Sequence, residues 1–133
     1  MSKVVVVTGA ARGIGLATAK KFLSEGWRVA LLDIDGKTQD LARNNLNEPG
    51  NTLAIECDVS DPDQVANAIK EVVAKFSHID ALVNNAGIAV FKPVMQTSFE
   101  EWSRGLAVNL NGPFICTQAC VPAMLARGGG SIV

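Results

Sequence analysis

Eight residues near the start of the chain, Thr8-Gly9-Ala10-Ala11-Arg12-Gly13-Ile14-Gly15, place three glycines between a run of valines and a segment of helical period. Glycine at Gly9, Gly13 and Gly15 lets the backbone turn sharply and approach a phosphate, whose charge is met by free N–H groups where the helix begins, around Ile14. A tight turn serving packing alone is the plainer reading. The strand-to-helix context favours the phosphate. Asp33 lies 24 residues beyond Gly9, near the spacing of about 20 at which a carboxylate meets the hydroxyls of an adenosine ribose. Such a carboxylate accepts from the 2′-OH and repels a 2′-phosphate, which favours NAD over NADP. Arg12 points the other way, as a partner for a 2′-phosphate, but Asp33 would then stand unpaired beside that phosphate. Asp33 can also be read as a turn residue with Asp35-Gly36. Asp58 can accept from an adenine amino group at the rim of the same crevice, or serve as a turn carboxylate.

The elements that position these residues are legible in the periodicity. Short β-branched runs alternate with helical segments, as repeated βαβ units do. Strands are expected at Lys3 to Thr8, Arg28 to Asp33, Thr52 to Cys57 and Ile79 to Val83, with a fifth begun at Ser131-Ile132-Val133. Helices are expected from Ile14 to a stop at Gly26, from Gly36 to Leu46 before Pro49-Gly50, and from a capping box at Asp61-Pro62 and Gln64 through Phe76. A second capping box at Ser98 and Glu101 opens a long helix towards Arg127. The fold class implied is α/β, a Rossmann-type doubly wound parallel sheet of order 3-2-1-4 with a fifth strand started, forming one dinucleotide-binding unit over residues 1–133. Its ligand crevice lies where the strand order reverses, beyond strands one and four.

Along the long helix, Trp102, Leu106, Asn109 and Pro113 follow 4, 3, 4 spacing, so an amide falls on an otherwise apolar stripe and must find partners. Pro113 lacks an N–H, which frees the Asn109 carbonyl to hold a water and predicts a kink. A purely structural amide is the alternative. Cys116 and Cys120 share a face; with only His78 to join them they read as core thiols and not as metal ligands, so no metal is expected. His78 itself reads as a solvated loop residue.

The composition narrows the partners. Twelve basic side chains stand against thirteen acidic, with no basic stripe, which speaks against nucleic acid. The four valines are too few to cross a membrane. Three cysteines, Cys57, Cys116 and Cys120, have no framework spacing and suit a reduced, cytoplasmic protein.

Taken together, the glycine turn Thr8 to Gly15, Asp58-Val59, the tetrad Asn84-Asn85-Ala86-Gly87, and Val108-Asn109-Leu110 with Gly112 and Phe114 resemble the short-chain dehydrogenase/reductases, in order and at similar spacing, over essentially the whole chain. The resemblance implies an oxidoreductase that transfers hydride between a nicotinamide and an alcohol or carbonyl substrate. It carries cofactor contacts onto Asp58, Val59, Asn85, Ala86 and Gly87, and makes Asn109 the first member of a catalytic tetrad that anchors a water in a proton relay. It also implies homo-oligomers built partly through the long helix. The other tetrad members, a serine, a tyrosine and a lysine, would lie after Val133, and the chain has no tyrosine anywhere. These 133 residues are therefore expected to bind cofactor without turning over, and to leave strand four or five as an open edge with an uncovered apolar face that invites association. Two readings from other classes stay open: a non-catalytic nucleotide-binding or assembly module ending at Val133, and an S-adenosylmethionine-dependent methyltransferase, against which the Asn-Asn-Ala-Gly tetrad and the Asn109 helix both argue. Of the substrate side, only Ile88 to Val94 is visible.

Overall fold

A computed structural model describes all residues, 1–133. Its centre is β1, Val4–Thr8, whose five residues are all buried. Successive side chains of a strand face opposite ways. Val4 and Val6 accordingly enter one hydrophobic cluster and Val5 and Val7 another. A strand covered on both faces needs an unbroken apolar run, which is what the valines provide.

On one face lie α1, Gly13–Ser24, and α2, Gly36–Leu46. Ala19 of α1 is buried against Val5 and Val7, with Phe22, Trp27 and Leu46 packed around them. On the other face α3, Pro62–Phe76, buries Val65, Ile69, Val72 and Phe76 against Val4 and Val6. The strands β2 (Arg28–Asp33), β3 (Thr52–Glu56), β4 (Ala81–Val83) and β5 (Ser131–Ile132) complete a parallel sheet of order β3-β2-β1-β4-β5, the doubly wound order expected. Val5 pairs with Val29 on one side and Ala81 on the other, so the order reverses between β1 and β4. No helix is long and apolar enough to cross a membrane.

Several local expectations need correction. Gly26 has φ +80 and follows the end of α1 as expected, but α2 is stopped at Asn47, φ 53, ahead of Pro49-Gly50. Asn tolerates the left-handed region and stops the helix at its expected last residue, Leu46, before the proline is reached. At α3, Asp61 accepts from the N–H groups of Asp63 and Gln64, yet Gln64 does not close the box. Its Oε1 accepts the Asp58 N–H at 2.9 Å, because the Asp61 N–H already donates to the Asp58 carbonyl. The Ser98 and Glu101 box is complete, with bonds of 2.9 and 3.0 Å.

The long helix is not continuous. α4, Phe99–Leu106, runs into a π-helical turn, Ala107–Asn111, and then α5, Gly112–Ala126. The Gly112 N–H reaches the Ala107 carbonyl, five residues back. One residue is accommodated by widening, so the interruption expected at Pro113 is spread over the preceding turn. α5 then buries Cys116, Cys120 and Met124 against α3 and the sheet.

Candidate functional site

The turn after β1 is built around two positions where a side chain cannot fit. A Cβ on Gly9, which has φ +64, would lie 2.9 Å from the Ala86 Cα, and one on Gly15 would lie 2.1 Å from the Gly9 carbonyl oxygen. Gly13 differs: the space around it is open, and its φ of +58 is what requires glycine. The N–H groups of Gly13, Ile14 and Gly15 have no partner within the chain, since the first helical bond is Leu16 N–H to the Arg12 carbonyl and no side chain caps α1. Three free donors at a helix start form a site for an anion.

The floor under the turn comes from the neighbouring strand β4, distant in sequence but paired with β1. Thr8 Oγ1 accepts the N–H groups of both Asn85 and Ala86 at 3.0 Å, while Asn85 Nδ2 donates to the carbonyls of Thr8 and Gly9 at 3.0 and 3.2 Å. The tetrad after β4 is thereby clamped to the turn after β1.

Asp33, at the end of β2, is aimed by two backbone donors: Ala11 N–H to Oδ2 at 3.0 Å and Asp35 N–H to Oδ1 at 2.9 Å. Each carboxylate oxygen keeps accepting capacity. Arg12 does not approach Asp33; it pairs with Asp35, whose carboxylate also accepts from the Thr38 N–H and hydroxyl. Those Thr38 bonds, backbone first, hold the Asp35 carboxyl below its usual pKa, with Arg12 adding to them.

Gly9, Arg12, Asp33, Asp58, Val59, Asn85, Ala86 and Gly87 all line one crevice of about 290 Å³ at the carboxyl ends of the strands. Gly13, Ile14 and Gly15 do not line it; Ile14 is 79% exposed, and the three contribute only the free N–H groups at the start of α1. The crevice also takes in Cys57, Ile88 and Val108, named in the sequence for other reasons, and Leu32, Ile34 and Arg104, which the sequence did not single out. Arg104 is the consequential omission. Its guanidinium donates to Ser60 Oγ at 2.8 Å and to Asp58 Oδ2 at 3.1 Å, joining α4 to the turn after β3. Burial raises the Asp58 carboxyl, but hydrogen bonds from the Ser60 hydroxyl and N–H and from Arg104 outweigh it and hold it below the usual value. A salt bridge 46 positions apart in sequence leaves no local trace.

Asn109 finds its partners in the backbone of Ile88: Oδ1 accepts the Ile88 N–H at 2.8 Å and Nδ2 donates to its carbonyl at 2.7 Å. With Trp102 and Leu106 it lines a second cleft of about 440 Å³ that includes Ile88 to Val90 and Lys92; Pro113 falls outside it, because the widened turn takes the fourth member off the stripe.

His78 is not solvated. It is 5% exposed, with Nε2 3.2 Å from both the Ser2 carbonyl and Asp80 Oδ2, because the Asp80 N–H pairs with the Val4 carbonyl and draws the segment under the N-terminus. Cys57, Cys116 and Cys120 are buried and unpaired, and burial pushes their thiols up to about 11, about 12 and about 12.

The family model described as short chain dehydrogenase matches residues 3–133. The chain belongs to that family. Among short chain dehydrogenase relatives, the D-threitol dehydrogenase of Mycolicibacterium smegmatis is 41% identical over 132 residues, covering 98% of this chain and 51% of the relative. The 3-oxoacyl-acyl-carrier-protein reductase FabG of Staphylococcus aureus is 38% identical over 135 residues, covering 100% of this chain and 55% of the relative. A crystal structure of a metagenomic short-chain oxidoreductase in complex with NADP superposes with a TM-score of 0.90 at 38% identity, covering 99% of this chain and 61% of that one. The chain thus spans about half the length of the curated short chain dehydrogenase relatives it matches.

Proposed function

We propose that the protein is an NAD-dependent oxidoreductase of the short-chain dehydrogenase type, acting on a small alcohol or carbonyl substrate, and that residues 1–133 form one unit holding the dinucleotide. The observation that carries this reading is the clamp between Thr8 and Asn85, which sets a glycine turn with three free N–H groups beside a carboxylate aimed by its own backbone. The fit is steric as well as polar: the positions where a Cβ would collide, Gly9 and Gly15, are those the turn needs bare.

In this reading Gly9 and the N–H groups of Gly13, Ile14 and Gly15 receive the pyrophosphate, Asp33 accepts from the ribose hydroxyls, and Asp58 with Val59 borders the adenine. Asn85, Ala86 and Gly87 offer backbone along the cofactor. The bound nicotinamide supplies hydride chemistry. Asn109 acts on the loop at Ile88 with its side chain, and its carbonyl anchors the water of a proton relay. A group that exchanges the substrate hydroxyl proton is also required. The phenol that would serve has no counterpart here, since the chain contains no tyrosine, so these 133 residues bind without turning over.

Preference for NAD rests on Asp33, which repels a 2′-phosphate. NADP has one observation in its favour, the related crystal structure in complex with it, and Arg12 is the residue here that could receive the phosphate. The unpaired buried thiols suit a reducing cytoplasm. The exposed Phe99, Trp102, Leu110 and Phe114 suit homo-oligomers formed through the α4 to α5 region.

Calorimetric titration with NADH, NADPH and S-adenosylmethionine tests the reading. NADH is expected to bind tightest and S-adenosylmethionine not at all. Binding of S-adenosylmethionine in place of NADH would sink it, and turnover of NAD with a secondary alcohol by the 133 residues alone would sink the account of the tyrosine.

A further inference from the structure

We infer that Asp35 is a specificity-determining residue, one that withholds Arg12 from a cofactor 2′-phosphate; this rests on the crevice being a dinucleotide site. Asp33, Arg12 and Asp35 form a line of alternating charge at its ribose end. Asp33 is fixed by the N–H groups of Ala11 and Asp35, the immediate neighbour of Arg12 and the ion-pair partner of Arg12. Of the two carboxylates only Asp35 pairs with the one cation.

Arg12 lines the crevice and its side chain is 65% exposed, so nothing but the pairing keeps its guanidinium from swinging towards a phosphate beside Asp33. Asp35 is held more firmly than Arg12. Its Oδ1 accepts the Thr38 N–H at 3.1 Å and its Oδ2 the Thr38 hydroxyl at 2.8 Å as the N-cap of α2. The cap anchors the carboxylate, and the carboxylate anchors the arginine. A bound 2′-phosphate would have to break that pair and then sit between two carboxylates. Repulsion by Asp33 acts on the phosphate directly, whereas Asp35 removes the one cation that could offset it.

The test exploits the fact that asparagine and serine also cap helices. Asp35→Asn keeps an acceptor for the Thr38 N–H while removing the charge, and Asp35→Ser serves if the first variant folds poorly. Isothermal titration of the protein with NADH and NADPH is expected to show NADPH binding about fivefold tighter in Asp35→Asn than in the parent, with NADH changed less than about twofold. The gain should shrink as salt is raised. Adding Arg12→Gln should abolish the gain in the Asp35→Asn background and do little in the parent, a coupling that a double-mutant cycle reads out. An unchanged NADPH to NADH ratio in both Asp35 variants, or an equal effect of Arg12→Gln in both backgrounds, overturns the inference while leaving the dinucleotide site intact. Failure of the parent to bind either dinucleotide overturns both.

Discussion

Asn109 grips Ile88 by both of its backbone polar groups, accepting its N–H at 2.8 Å and donating to its carbonyl at 2.7 Å. A side-chain amide thus does for the loop after β4 what a neighbouring strand would do, and it does so from a turn of helix widened at that residue. Asn109→Ala is expected to lower stability by about 1 kcal/mol, since both bonds are solvent-accessible. The sharper readout is local: amide hydrogen exchange at Ile88 should accelerate far more than at Val6 in the same variant. Unchanged exchange at Ile88 would show that the grip does not hold the loop.

Thr8 receives two N–H groups on one hydroxyl. Thr8→Val preserves the shape and removes the acceptor at a residue 1% exposed, leaving the Ala86 N–H without a partner and the Asn85 N–H with the Val83 carbonyl alone. A loss of about 2 to 3 kcal/mol in urea unfolding is expected, together with weakened NADH binding. Thr8→Ser should retain most of both, and a Thr8→Val variant as stable as the parent would contradict the clamp.

The two glycines at the helix start should respond differently. Gly15→Ala drives a methyl into the Gly9 carbonyl, backbone against backbone, and should cost about 3 kcal/mol and abolish dinucleotide binding. Gly13→Ala meets open space and pays only for a left-handed backbone, about 1 kcal/mol. Urea midpoints in the reverse order would refute the distinction.

Acid should unfold the protein partly through Asp58 and Asp80. Burial raises the Asp80 carboxyl, but the Val4 N–H at 2.8 Å, Arg127 at 2.7 Å and His78 outweigh it, so both groups lie below their ordinary values in the folded state. A carboxyl depressed by folding stabilises the fold above its unfolded pKa of about 3.9, and that contribution is lost as pH falls through the folded value. The urea midpoint is therefore expected to drop between about pH 5 and pH 2, and less steeply in Asp80→Asn, which starts lower.

The thiols give a probe of global opening. Burial pushes Cys116 and Cys120 to about 12 and Cys57 to about 11, so at pH 8 almost no thiolate is present and none is accessible. A thiol-specific disulfide reagent should label none of the three quickly in the folded protein and all three on adding denaturant. Rapid labelling of Cys116 or Cys120 in the native protein would mean the interface of α3 and α5 is open.

How much of this was legible depended on how locally each feature is encoded. The valines of β1, the Gly26 stop, and the Ser98 and Glu101 box rest on neighbours within one turn or one pleat, and their residues appear where spacing puts them. The strand order followed from handedness applied to a correct list of elements. Asn47 pre-empted Pro49 because two stop signals stood close together and the first suffices. Gln64 misled because its side chain chose between two N–H groups that sequence cannot tell apart, one of them already donating to the Asp58 carbonyl. Arg104 with Asp58, and His78 with Ser2, are contacts made only once distant segments meet. The widened turn before α5 was legible as a break at Pro113 but not in its form, since one proline permits either a kink or an added residue.

The bond from Asn85 to Thr8 spans 77 positions of sequence. The glycine turn itself is complete within residues 8 to 15, yet its floor arrives only after β2, α2, β3 and α3 have been wound and β4 has slotted in beside β1. Long loops must close before such contacts contribute, which slows folding. A growing chain on the ribosome thus carries the glycine turn early and lacks its floor until about eighty-five residues have emerged. Ligand capture becomes a timestamp for topology: the moment the crevice can hold its guest marks the moment at which the two halves of the sheet have found each other.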